Sequence, residues 1–162
     1  VGARHLLASA SESFQGQKVS DVVGRGLITV KESEPISKLM ACCRESHISH
    51  VPVIDTAGKL SGVVSVVDVL SRFLMVPAQG SRRGDKARGS SRAGNGEKVV
   101  LNALQVSNVM TRVVQTVQRS ASLNQVIATM HTNHISDLIV VEKDVPIGIV
   151  TTKDLLKFLV KG

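Results

Sequence analysis

The chain has no tryptophan and no tyrosine, and Phe14, Phe73 and Phe158 are its whole aromatic complement. The stacking platforms that single-stranded nucleic-acid binders build from aromatic faces are therefore almost excluded. No apolar run approaches the roughly 20 residues that a membrane-spanning helix requires, so no span is expected. Nothing at the start resembles a signal peptide. With Val1 as its first residue, the chain is expected to be a fragment or a processed product, acting in the cytoplasm. Cysteine is scarce as well: Cys42 and Cys43 are adjacent, a spacing that neither metal sites nor redox motifs use. Cys43 falls on a helical apolar stripe, where a buried, unreactive thiol is expected.

What is abundant is positive charge, and its location matters more than its sum. Of the net +7, four charges come from residues 79–98, where Arg82, Arg83, Lys86, Arg88, Arg92 and Lys98 face only Asp85 and Glu97. The same stretch holds Gly80, Gly84, Gly89, Gly94 and Gly96 among several serines, a composition that cannot form a core. It is expected to be a flexible basic linker. Phosphate contacts through such a segment would carry little sequence preference, so nucleic-acid binding is a weaker alternative to a solvated spacer.

The chain also repeats itself. At an offset of 87, Val19, Ser20, Val22, Arg25, Thr29, Val30, Ser33, Ala41, His47, Ile48, Ser49 and Val53 meet identical residues, from Val106 to Val140. After Asp55 the offset drops to 86, and Gly62-Val-Val-Ser-Val-Val-Asp68 returns as Gly148-Ile-Val-Thr-Thr-Lys-Asp154. Periodic self-similarity of this kind decides the architecture before any local reading. The expected organisation is an N-terminal extension (1–17), a first repeat (18–76), the basic linker (77–104) and a second repeat (105–162). Each half would be marginal alone, so the halves should pack on each other.

Each copy opens with a short extended piece, Leu27 to Val30 or Val113 to Val117. Ser33 or Ser120 is the expected N-cap. Ile36, Leu39, Met40 and Cys43, and Leu123, Val126, Ile127 and Met130, follow at the spacing of a half-buried helix. Two β-branched runs joined by a turn come next (Val51 to Ile54 and Gly62 to Val66; Leu138 to Val141 and Pro146 to Val150). A last helix is expected from Asp68 or Asp154. The order is β-α-β-β-α, twice, which makes the chain an α/β protein.

The repeated glycine, hydroxyl and aspartate form the chemical constellation. The glycine lets another backbone or a flat ligand approach closely. Ser65 and Thr151 stand where strand passes into helix, so free N–H groups there would attract an anion. Asp68 and Asp154, ionised, are acceptors only, suited to the two hydroxyls of a ribose. Ser/Thr-x-x-Asp is also a capping arrangement that serves the helix whether or not anything binds. Capping is expected at both sites, with ligand binding as an additional role.

These residues, together with Val19-Ser-Asp-Val-Val, Val106-Ser-Asn-Val-Met-Thr, Ile28-Thr-Val30, Gln115-Thr-Val117, His47-Ile-Ser-His-Val-Pro-Val-Ile-Asp55 and His134-Ile-Ser-Asp-Leu-Ile-Val-Val-Glu142, resemble the paired CBS domains, or Bateman module. The resemblance covers nearly all of the chain outside its first dozen residues and the linker. It implies two repeats packed sheet to sheet about a pseudo-twofold axis, a disc-like homodimer, and no catalysis. It implies regulatory binding of adenosine-containing ligands, an adenine nucleotide or S-adenosylmethionine, with no cofactor required, and transmission to a regulated protein or fused effector domain. By this resemblance Asp68 and Asp154 would hold ribose hydroxyls, with Ser65 and Thr151 near ribose or phosphate. Thr29, Val30, Thr116 and Val117, and Val51, Pro52, Leu138 and Ile139, would line the adenine pockets, flanked by His50 and Asp137. The second copy departs in having Ile139 for Pro52 and Lys153 beside Thr151. Lys153 could add a phosphate contact, which would favour phosphorylated ligands at the Asp154 site, or it is a solvated helix side chain.

Other groups carry less. His47 and His50, and His131 and His134, form H-x-x-H pairs, but no third metal ligand is evident, so metal binding is not expected. Cys42 and Cys43 with the histidines lack an orienting group for nucleophilic catalysis. A dimerisation module with empty clefts is the remaining alternative.

Overall fold

The computed structural model describes residues 2–9, 11–24, 26–74 and 102–161. The basic linker, up to residue 101, lies outside the described residues. The elements are α1 (Ala3–Ser9), β1 (Val30–Lys31), α2 (Ile36–Ser46), β2 (His50–Ile54), β3 (Leu60–Ser65), α3 (Val66–Leu74), β4 (Thr116–Gln118), α4 (Leu123–Thr132), β5 (Asp137–Glu142), β6 (Val145–Thr151) and α5 (Thr152–Lys161). Short 3-10 turns at Val19–Asp21 and Val106–Asn108 lead into the repeats. The expected β-α-β-β-α order is present in both copies.

The sheets are β1-β2-β3 and β4-β5-β6. In each, the first strand joins the second in parallel, Val30 beside Val53 and Val117 beside Val140. The β5–β6 pair is antiparallel, closed by Lys143 and Asp144 at φ 51° and 67°. Two successive positive φ values are what a two-residue hairpin turn demands. The predicted helical stripes are the buried ones: Ile36, Leu39 and Cys43 on α2, and Leu123, Val126, Ile127 and Met130 on α4.

The opening strands are shorter than expected, because pairing starts only at Val30 and Thr116. The helix caps also differ from expectation. Ser33 and Ser120 lie in the preceding turns, which Glu34 N–H to Lys31 C=O (3.1 Å) and Ala121 N–H to Gln118 C=O (3.0 Å) close. The caps are Pro35 and Ser122, two residues later.

By backbone contacts the chain divides into two compact units, one comprising Val1–Ile28, Thr56–Leu60 and Val113–Gly162, the other Thr29–Asp55 and Ser61–Arg112. The leading segments are therefore exchanged. In the first unit Val19 N–H donates to Ala121 C=O (2.9 Å) and Leu123 N–H to Gln17 C=O (3.0 Å). The second unit repeats the pattern with Val106 N–H to Glu34 C=O (2.9 Å) and Ile36 N–H to Leu104 C=O (2.9 Å). Each leader thus caps a helix entry that belongs to the other copy. The N-terminal extension goes further: Leu7 and Phe14 are fully buried in the first unit's core, where Phe14 stacks on Phe158 with ring centroids 6.1 Å apart.

Candidate functional site

Both copies build the same constellation at the strand-to-helix junction. Ser65 Oγ donates to Asp68 Oδ2 (2.7 Å) and accepts from the Asp68 N–H (3.0 Å), while the Ser65 N–H donates to the same Oδ2 (3.2 Å). Thr151 and Asp154 reproduce these three bonds at 2.7, 3.2 and 3.0 Å. This is the reciprocal capping box expected from the spacing. The first helical N–H is taken too, since Val66 donates to Ser49 C=O (3.1 Å) and Thr152 to Ser136 C=O (2.9 Å). The chain itself thus satisfies much of each helix N-terminus, leaving fewer donors for an anion than the sequence suggested. Each aspartate keeps Oδ1 without a hydrogen bond among the described residues, so each still offers an acceptor.

The two motif glycines have a structural cause. A Cβ on Gly62 would stand 2.7 Å from the Thr111 carbonyl oxygen, and one on Gly148 would stand 2.2 Å from Val23 Cγ2. Thr111 is locked there by mutual hydrogen bonds with Val63 (2.8 and 2.9 Å). What approaches the glycines is therefore the exchanged leader of the other copy.

The remaining predicted positions lie on the strands, except Thr29, just before β1, and Lys153, on α5. Within the first unit, β-register sets Thr116 beside Ile139 and Asp137 beside Thr151. Val117, Leu138 and Ile139 are buried, Asp137 is half-buried, and Lys153 is exposed on α5. Within the second unit Val30, Val51 and Pro52 are buried and Thr29 is half-buried. His50, exposed at the start of β2, has Nδ1 at 3.1 Å from Ser49 Oγ.

A cavity of about 250 Å³ opens beside Asp68, lined also by Ser71, Arg72, Val109, Met110 and Thr111. Of these, sequence reasoning named only Asp68. The signal it passed over was Arg72, four residues on and hence on the same helical face, where the other copy has Phe158. A second cavity, about 260 Å³, is lined by Lys18, Ser20, Gln118, Arg119, Ser120 and Glu142, and contains none of the predicted positions.

The histidine pairs gather no metal set: no cluster of three or more potential ligands occurs among the described residues. His47 and His134 instead occupy helix ends, in left-handed backbone at φ 53° and 54°. Burial, and then neighbouring Cys42, push the Cys43 thiol pKa up, in keeping with an inert thiol. No helix among the described residues is long and apolar enough to cross a membrane.

The sequence matches the CBS domain family over residues 19–74 and 106–161. The chain belongs to that family, as a tandem pair. A CBS pair is a regulatory module rather than a catalyst. An uncharacterized protein of Methanocaldococcus jannaschii is 29% identical over 154 residues, covering 94% of this chain, which spans only 34% of that relative's length. Among solved structures, a Methanocaldococcus jannaschii protein proposed as an archaeal homologue of g-AMPK superposes with a TM-score of 0.72 at 21% identity, over 98% of this chain and 54% of its own. The CBS domain pair of protein MJ0100, in complex with 5′-methylthioadenosine and S-adenosyl-L-methionine, gives a TM-score of 0.66 at 21% identity, over 90% of this chain and 97% of its own. At these identities the likeness establishes the fold.

Proposed function

We propose that this chain is a ligand-sensing regulatory module that takes adenosine-containing compounds, an adenine nucleotide or S-adenosylmethionine, at the Asp68 and Asp154 constellations. The observation that carries the proposal is the duplicated carboxylate. In both copies one oxygen is fixed by the capping box while the other remains an open acceptor, suited to a ribose diol. The solved CBS pair holding two adenosyl compounds supports the ligand class. Thr29, Val30, Val51 and Pro52, and Thr116, Val117, Leu138 and Ile139, line the adenine in this reading, with His50 and Asp137 at the edges and Ser65, Thr151 and Lys153 towards ribose and phosphate. Binding acts by biasing an equilibrium between states that the ligand engages unequally. The readout passes to a regulated protein or fused effector domain, with the module working as a cytoplasmic homodimer.

One alternative has a specific observation behind it. The capping boxes and the packed glycines account for the motif without any ligand, which favours a structural dimerisation module. Calorimetric titration with AMP, ADP, ATP, S-adenosylmethionine and NAD separates the two. Saturable binding that Asp68→Ala or Asp154→Ala abolishes is the result expected of a sensor. Binding by none of the five, with unchanged association between chains, would leave the structural role.

A further inference from the structure

The cavity beside Asp68 differs in kind from its counterpart in the other copy. Asp68 and Arg72 lie one helical turn apart on α3 and line the same space. They are not paired with each other, and Arg72 has no ion-pair partner among the described residues. An open carboxylate oxygen and an open guanidinium on one wall, with the hydroxyl-bearing Ser71 and Thr111 also lining the space, complement a sugar bearing a phosphate. The carboxylate takes hydroxyl donors, and the guanidinium takes phosphate oxygens through two parallel N–H donors. At about 250 Å³ the space falls below the roughly 300–1,000 Å³ of a complete small-molecule site, so it suits part of a ligand.

The second copy lacks these groups. The repeat offset sets Lys157 at the place of Ser71, Phe158 at that of Arg72 and Gly24 at that of Thr111. Phe158 packs against the core and stacks on Phe14, so no guanidinium occupies the place of Arg72, and Lys157, an exposed ammonium three residues after Asp154, stands instead at the place of Ser71. Lys153 precedes that aspartate on an exposed position of α5. The two sites are therefore unequal: only the Asp68 site has a guanidinium four residues past its aspartate.

Building on the adenosyl-sensor reading, we propose that Arg72 is the phosphate anchor of a sugar-phosphate subsite at Asp68, and that it makes this copy selective for phosphorylated adenosine over uncharged adenosyl compounds. The test is calorimetric titration of AMP and of adenosine into the full chain and into Arg72→Gln, Arg72→Lys and Asp68→Asn. The expected result is a loss of about tenfold or more in AMP affinity for Arg72→Gln, the scale of a charge-assisted hydrogen bond, with adenosine affinity unchanged. Arg72→Lys should recover part of the loss. Equal weakening of AMP and adenosine, or of neither, in Arg72→Gln while Asp68→Asn still removes one binding site would overturn the Arg72 assignment alone. AMP binding indifferent to Asp68→Asn, or absent from the unmodified chain, would overturn the assignment together with the sensor reading at that site.

Discussion

The exchanged leaders make the two motif glycines respond differently to the same substitution. In Gly148→Ala the new methyl would meet Val23 Cγ2 at 2.2 Å, far inside the roughly 3.5–4.0 Å of comfortable carbon contact. Val23 is partly buried against the core, and its β-branched side chain has few rotamers to escape into. Overpacking of this kind costs about 1–3 kcal/mol. Truncating the obstacle should reverse the sign. With Val23→Ala present, Cγ2 is gone and the next neighbour is the Gly24 carbonyl oxygen at 3.6 Å, an ordinary contact. Gly148→Ala in that background should be neutral or stabilising by about 0.4–1 kcal/mol, because alanine restricts the unfolded chain. Gly62→Ala offers no such escape. Its obstacle is a backbone oxygen at 2.7 Å, held by the two Val63–Thr111 hydrogen bonds, and no side-chain truncation removes it. Weakening those bonds, at up to about 0.5–1.5 kcal/mol each, adds to the overlap, for a total of about 2–6 kcal/mol that persists when Thr111→Ala is also present. Urea unfolding followed by circular dichroism reads all six variants, the four single substitutions and the two double ones. The reasoning is refuted if Gly148→Ala costs the same with and without Val23, since the leader would then not lie against that glycine.

Three further substitutions, at two positions, test other parts of the fold by the same assay. Phe14→Ala should cost about 3–5 kcal/mol, as loss of a buried phenyl ring does; a loss under about 1 kcal/mol, typical of surface changes, would show that the N-terminal extension is not part of the core. His134 holds left-handed backbone at a helix end, where glycine is the favoured residue. His134→Gly should therefore be neutral or stabilising and His134→Val destabilising by about 1 kcal/mol or more, and the opposite order would contradict the backbone geometry.

Much of this architecture could be read from local pattern, because duplication prints each signal twice. The stripes of α2 and α4, the hairpins and the capping boxes depend on residues within a turn or two of each other. Cys43 against Met130 already marked both as buried. What escaped was long-range. Nothing in Val19-Ser-Asp or Val106-Ser-Asn indicates which copy's sheet the segment will meet, because the two versions are nearly interchangeable by sequence. Phe14 escaped for a related reason: an isolated aromatic in a short extension has no periodicity to reveal that it is buried. The glycines did carry a signal of close approach, but the sequence left open whether the visitor was ligand or chain.

That ambiguity now has a physical resolution, which bears on how the two sites should be compared. Glycine, hydroxyl and one aspartate oxygen each have a folding role in both copies, so beyond the needs of the fold their recurrence leaves only the second carboxylate oxygen for a ligand. Discrimination between ligands has to come from positions that capping and leader packing leave unconstrained. Residue 72 and its counterpart 158 are such a pair, since the backbone there is the same helix in both copies. One carries a guanidinium without an ion-pair partner among the described residues, and the other a ring stacked in the core. A duplicated fold can keep its junctions identical for stability while, in the reading proposed above, one helical position four residues past the motif sets what each copy accepts.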